Sequence, residues 1–291
     1  MITMGALFGP AGNSESFKKK YKSFADVPGY LREMGLDVYE YQCGHGVTIG
    51  EASARKLGEL ARENGVLLTL HAPYFISLSS PEEETREKSI GHILKAAQAA
   101  AWMGAGRMVV HAGSCGKMPR ERALALAKDT LARGQKALEE AGLSHIILCP
   151  EVMGKLGQLG TLEEVLALCK VDERFLPCVD FGHLNARTQG WLCQPGAVKQ
   201  VFDAMEDALG QERASRFHSH FSKIEYTSGG EKRHLTFADT MYGPDFAPVA
   251  EETARRGWSP VFICESAGTQ AEDAQEMKGM YQRCCQPLEK P

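Results

Sequence analysis

No stretch of this chain approaches the roughly 18 consecutive apolar residues of a membrane span. Its first residues, Met1-Ile-Thr-Met-Gly-Ala, lack the basic n-region and apolar stretch of a secretory signal. A cytoplasmic protein with no membrane partner is therefore expected. An excess of positive charge is also missing: 33 Lys and Arg stand against 37 Asp and Glu, for a formal net charge of -4. A nucleic-acid ligand would thus need a local basic patch rather than a polycationic surface. The 9 cysteines are odd in number and contain no C-x-x-C pair, which argues for reduced, structural thiols over a disulfide framework. No G-x-G-x-x-G follows the first apolar run; Gly5-Ala-Leu-Phe-Gly9-Pro-Ala-Gly12 is too loosely spaced, which counts against a dinucleotide-binding open sheet.

What is present is an alternation of two patterns over 291 residues that are 43% hydrophobic and 24% charged, enough for one large core. Short apolar, β-branched-rich runs are predicted as strands at about 2–9, 36–42, 66–72, 106–112, 145–151, 175–180, 215–221 and 259–265. Helical segments follow at about 24–34, 50–64, 82–103, 119–141, 161–170, 196–209, 244–257 and 270–284. Ser80-Pro81-Glu82-Glu83 offers a helix start, and Asn64-Gly65 and Arg256-Gly257 offer stops. Eight alternating units without a low-complexity linker predict an α/β fold, a (β/α)8 TIM barrel forming a single domain over residues 1–291.

In such a barrel the active site lies where the strands end. Strand ends here carry His71-Ala-Pro-Tyr74, His111-Ala-Gly-Ser114, Cys149-Pro150-Glu151, Asp180-Phe-Gly-His183, His218-Ser-His220 and Cys264-Glu265-Ser266, with His234 in a following loop. Imidazoles and carboxylates gathered without a cation would be costly to desolvate and would repel, so their convergence implies a polynuclear metal site. Top-face basic residues, Lys117, Arg120, Lys155, Arg187, Lys223, Lys232 and Arg233, are candidates for a phosphate-binding crescent. His92, inside a helix, and His145, at the far end of its strand, read as structural.

These motifs, in this order along nearly the whole chain, resemble endonuclease IV, the metal-dependent enzyme of abasic-site repair, within the wider xylose-isomerase-like group. His71-Ala-Pro-Tyr74 is similar to the family's H-x-x-Y, and His111-Ala-Gly-Ser114 to its H-P-G-S. Glu151 with Gly154 and Gly157 is similar to E-N-T-A-G, Asp180-Phe-Gly-His183 to D-T-C-H, and Glu265-Ser266 to the closing E-T. His218-Ser-His220-Phe-Ser222-Lys223 matches H-L-N-D-S-K at its first and last two positions, which assigns the ligand role to His218 rather than His220.

The resemblance implies zinc, or alternatively manganese. Glu151 would bridge two ions, with His71 and His111 on one and Asp180, His218 and Glu265 on the other. His183 and His234 would hold a third, Glu151 and Glu265 would be the catalytic carboxylates, and Tyr74, Lys223 and Arg233 would meet the substrate.

Three departures stand out. Lys232 falls where D-R-H has its aspartate, which leaves His220 or Glu231 to complete the third site. The loop Gln42-Cys43-Gly44-His45-Gly46-Val47 has no counterpart of the family's DNA-wedging arginine, and His220 replaces an asparagine. The leading expectation is a phosphodiesterase cleaving duplex DNA 5′ to abasic sites. The alternative is a divalent-metal sugar isomerase or epimerase acting on a small sugar, which needs neither wedge nor basic groove, and a non-catalytic metal-binding protein is the third class.

Overall fold

The computed structural model describes residues 5–286, so the part of the first expected strand at 2–4 lies outside the described residues. Strand β1 (Leu7–Pro10) leads through α1 (Glu15–Lys20) and α2 (Val27–Glu33) to β2 (Val38–Gln42) and α3 (Glu51–Glu63). β3 (Leu67–His71), α4 (Glu83–Met103), β4 (Arg107–Val110), α5 (Arg120–Glu140), β5 (Ile147–Pro150) and α6 (Leu162–Cys169) continue the alternation. Then follow β6 (Cys178–Asp180), α7 (Phe181–Arg187), α8 (Ala197–Leu209), α9 (Gln211–Ala214) and β7 (His218–Phe221). A hairpin of β8 (Ile224–Thr227) and β9 (Gly230–His234) precedes α10 (Ala247–Arg256), β10 (Val261–Cys264) and α11 (Gln270–Cys285).

All eight expected strands form, as the strands of a TIM barrel. They make two parallel half-sheets, β1-β10-β7-β6 and β2-β3-β4-β5. The halves meet at two seams joined by single parallel bridges, Ala11 to Glu40 and Glu151 to Cys178, rather than by continuous ladders. The first seam is close enough to require glycine at position 9: a Cβ there would sit 1.6 Å from the Val38 carbonyl oxygen. Among the described residues no helix is long and apolar enough to cross a membrane.

Strand parity sorts the residues. The outward set packs beneath the helices in the main core, where Phe8 stacks on Phe262 at 5.3 Å and Phe202 on Trp258 at 5.0 Å. Inside the barrel two smaller apolar clusters, Ala11, Val38, Val261 and Ile263 on one side and Val109, Cys149, Leu176 and Cys178 on the other, flank a polar column. The parallel register puts Cys178, His218 and Val261 at one level, and Asp180, His220 and Ile263 at the next level up.

The helices end as their sequences dictate. Gly65 at φ 70°, beyond α3, and Gly257 at φ 64°, capping α10, take the left-handed conformation that stops a helix. Thr161 and Glu164 form a capping box at the start of α6. Ser80 and Pro81 lie ahead of α4, whose N-cap is Glu82, so the expected serine cap is displaced. Further elements had no counterpart in the expected set: α1, α7, the short α9 and the β8–β9 hairpin.

Candidate metal centre

Glu151 directly follows β5 with its side chain 1% exposed and collects imidazoles from β3, from β7 and from just beyond β4. Its Oε2 lies 2.9 Å from His111 Nε2 and 3.3 Å from His71 Nε2, while Oε1 lies 2.9 Å from His220 Nδ1. The His71 Nδ1 donates to the Ala72 carbonyl at 2.7 Å, which fixes the tautomer and turns Nε2 into the site. His220 Nδ1 also faces Glu265 Oε1 at 3.6 Å. Asp180 caps α7, with Oδ1 accepting from the His183 amide at 2.7 Å. Its other oxygen, Oδ2, is buried without a hydrogen-bond partner, 3.0 Å from His183 Nδ1. Donor atoms of Glu151, Asp180, His220 and Glu265 all fall within 4.8 Å of one another, as do those of His71, Glu151 and His220.

A second cluster adjoins the first. His183 Nε2 is 3.3 Å from Glu231 Oε2, and His234 Nε2 is 3.9 Å from Glu231 Oε1. Glu231 and His234 are three residues apart on β9, a spacing that puts side chains on opposite faces of a regular strand. A bulge between Glu225 and Tyr226 shifts the register, so that Glu225 pairs with Arg233 and Tyr226 with Glu231. That one-residue slip brings Glu231 and His234 to the same side. The hairpin is held down at Gly154, whose carbonyl accepts from the Glu231 amide at 3.1 Å.

The electrostatics are those of a site short of cations. Burial by itself would raise the Glu151 carboxyl, but the charges on His220 and His111, with their hydrogen bonds, hold it well below the usual range. His183 goes the other way: burial alone would lower it, yet Asp180, Glu231 and Glu151 raise it to about 9. Asp180 is raised, by burial first and then by the neighbouring Glu265 and Glu151 carboxylates, against the pull of His183. Burial outweighs Glu151 at His111 and lowers it. Protons thus stand in here for positive charge. The mixed imidazole and carboxylate donors, together with the orphaned Asp180 oxygen, fit zinc or manganese.

The structure brings together His71, His111, Glu151, Asp180, His183, His234 and Glu265 of the residues singled out from the sequence. On β7 it separates the two histidines by depth. His218 sits one level deeper, 0% exposed, with Nε2 bound to Glu40 at 2.9 Å, and it is His220 that reaches Glu151. Of the two alternatives for the third cluster, Glu231 fills it, while Lys232 points away to pair with Glu225 at 2.5 Å.

Two expected substrate residues are also engaged elsewhere. Lys223 donates to the Asp239 carbonyl at 2.6 Å, and Arg233 pairs with Glu225 at 2.6 Å; neither lines the cavity. Of the expected basic crescent, Arg120 is bound to Glu164, buried Arg187 to the Met153 and Gly160 carbonyls, and Lys117 lies off the cavity, leaving Lys155 on its wall. The cavity above the donors has a volume of about 590 Å³ and also presents Gln42, Gln158 and Gln270, which sequence reasoning passed over. Tyr74 stands at its mouth, 48% exposed, stacked on His111 at 5.5 Å and resting over Gly44, where a Cβ would meet its ring at 2.3 Å.

A family model described as xylose isomerase-like TIM barrel matches residues 29–283. The chain is 33% identical over 260 residues to an uncharacterized protein of Methanocaldococcus jannaschii, covering 89% of this chain and 91% of that protein. It is 28% identical over 241 residues to a probable endonuclease 4 of Natronomonas pharaonis, covering 81% and 82%. Among solved structures it is similar to a D-tagatose 3-epimerase-like protein, with TM-score 0.69, 20% identity and 96% of each chain covered. It is also similar to endonuclease IV from Thermus thermophilus, with TM-score 0.66, 20% identity and 96% of each chain covered.

Proposed function

The chain belongs to the xylose isomerase-like TIM barrel family, whose members similar to it include endonucleases and epimerases, and from that premise we propose that it is a metal-dependent phosphodiesterase cleaving DNA 5′ to abasic sites. The observation that carries this reading is the second cluster. His183, Glu231 and His234 add three donors beside His71, His111, Glu151, Asp180, His220 and Glu265, more than the shell of one six-coordinate ion can use. One ion between two carboxylates serves a sugar epimerase; a set that can hold several suits a phosphodiester, where charge must be met at the attacking, bridging and leaving oxygens.

Glu151 would join two ions, His71 and His111 holding one and Asp180, His220 and Glu265 the other, and His183, Glu231 and His234 would hold a third. Zinc or manganese bound there would supply an activated water, neutralise the phosphate and steady the leaving oxygen. The chain's own residues frame the substrate. Lys155 brings a positive charge to the cavity wall, Gln42, Gln158 and Gln270 offer amides for phosphate and sugar oxygens, and Tyr74 presents a ring at the mouth. Duplex DNA is the expected partner.

The epimerase reading keeps one specific support: the loop from Gln42 to Val47 has no arginine, and the chain is acidic overall. The test is a duplex carrying one abasic analogue, incubated with zinc- or manganese-loaded protein. Nicking that leaves a 3′-hydroxyl, abolished in Glu151→Gln, supports the phosphodiesterase. Intact DNA together with interconversion of ketose epimers would replace it with the sugar enzyme.

A further inference from the structure

Beneath the site, one level deeper in the barrel, lies a charged group that neither cluster uses. Glu40 occupies the middle of β2, 0% exposed, in the run Val38-Tyr39-Glu40-Tyr41-Gln42. A buried carboxylate without partners would be costly, so its neighbours explain its presence. Oε2 accepts from His218 Nε2 at 2.9 Å and from the Thr69 hydroxyl at 3.1 Å; Oε1 accepts from the Gln42 amide at 3.1 Å and lies 2.9 Å from His220 Nε2. The two nitrogens of His220 therefore face different carboxylates: Nδ1 meets Glu151 and Glu265, and Nε2 lies 2.9 Å from Glu40 Oε1, within reach of it though off the angle of a formed hydrogen bond. A ligating histidine whose remote nitrogen meets a carboxylate is held in one tautomer and one ring orientation, and becomes a more basic ligand.

We propose that Glu40, braced by His218, is the positioning residue that presents His220 Nδ1 to a metal ion. The inference rests on the metal-centre reading above, though not on the choice between DNA and sugar. In the proposed arrangement the His220 proton sits on Nε2 and is directed at Glu40, leaving the Nδ1 lone pair to the ion. His218 does not compete for the same ion, since it stands one level below His220 with its Nε2 bound to Glu40. Its part is to fix the carboxylate, with Thr69 and Gln42, so that one oxygen stays under His220. The opposing arrangement is also built from buried groups. Donor atoms of Cys178, His218 and His220 lie within 4.8 Å of one another, which would allow an ion in the lower level instead.

The test uses the full chain, stripped with chelator and titrated with Zn²⁺ or Co²⁺ against a competing chelator dye. Glu40→Gln keeps the volume and removes the charge. It is expected to weaken the ion held by His220 by roughly 10- to 100-fold while changing the His183, Glu231 and His234 ion by less than about threefold. In the zinc-loaded wild type a downfield, slowly exchanging imidazole N–H signal, absent in His220→Asn, should shift in Glu40→Gln. Glu40→Asp should restore part of the affinity. Should Glu40→Gln fail to fold, His218→Gln is the second variant, expected to loosen the same ion to a smaller degree.

Unchanged metal affinity and an unchanged imidazole signal, with only the melting temperature of the apo protein lowered, would make Glu40 merely structural and overturn the proposal. A thiolate-to-cobalt absorption band lost in Cys178→Ser would overturn it in favour of the lower site. A wild-type chain that holds no ion would sink the metal-centre reading and this proposal together, whereas metal binding without DNA cleavage would leave Glu40 in its role and remove only the nuclease.

Discussion

Replacing Glu231 by Gln separates the geometry of the hairpin from the motif it resembles. By motif alignment the residue two before His234 should be the ligand, and that residue is Lys232; in the structure the bulge puts Glu231 beside His183 and His234 instead. The Glu231 side chain is 15% exposed and lies 3.3 Å from His183 Nε2, so a unit-charge attraction at an effective dielectric of about 20 is on the order of 5 kcal/mol. An ion would carry more charge, but stripping water from both partners offsets much of the gain. A net loss of about 3–4 kcal/mol, or roughly 10²- to 10³-fold in affinity for one ion, is therefore expected for Glu231→Gln. Elemental analysis after dialysis against a weak chelator should fall by one metal per chain. Lys232→Ala, which removes only the exposed pair with Glu225, should leave the count and affinity unchanged. The reverse result, with Lys232→Ala altering the count and Glu231→Gln leaving it intact, would show that β9 presents the other face to the cavity.

Gly154→Ala perturbs the same cluster from the opposite wall. The added methyl would lie 2.5 Å from Glu231 Cβ and 2.8 Å from His183 Cδ2, so the hairpin must lift; the expected outcome is loss of one metal per chain and about 1–3 kcal/mol of stability by calorimetry, with retention of the full count refuting it. For pH, His183 is raised to about 9 in the metal-free chain. Its contribution to the stability of the apo protein is fully present below its unfolded value near 6.5 and is lost as pH rises through about 9. Apo melting temperatures should therefore fall across that window. Ions must displace the same proton, so their apparent affinity should climb over it, and a flat metal titration between about pH 6.5 and 9 would contradict the assignment.

What could be foreseen from the sequence follows strand parity. Gln42, His71, His111, Glu151, Asp180, His220 and Glu265 all carry the inward parity of their strands, so an alternating apolar pattern that locates the strand ends also locates most of the site. Parity fails where the period breaks. The hairpin strand Gly230-Glu-Lys-Arg-His234 has no apolar alternation to announce it, and the bulge that turns Glu231 inward leaves no mark a residue count can detect. Glu40 escapes notice in the sequence because it lies mid-strand between tyrosines rather than at a strand end.

The exchange of His218 for His220 has a different cause, since both share one face of β7. Depth separates them: at about 3.3 Å of rise per residue, two positions move a side chain roughly 6.6 Å along the strand, so that His220 reaches up to Glu151 while His218 reaches only Glu40. That depth is set by which residues stand alongside, His220 with Asp180 and His218 with Cys178, and so by how the neighbouring strands are staggered when the barrel closes. A motif aligned from its lysine counts residues along one strand, whereas ligation depends on height within the barrel. The two agree only where no residue has been gained or lost between strand and loop. Here they disagree by two positions on β7 and by one on β9, and in each case the side chain at the height of Glu151 and His183 has the chemistry of a ligand.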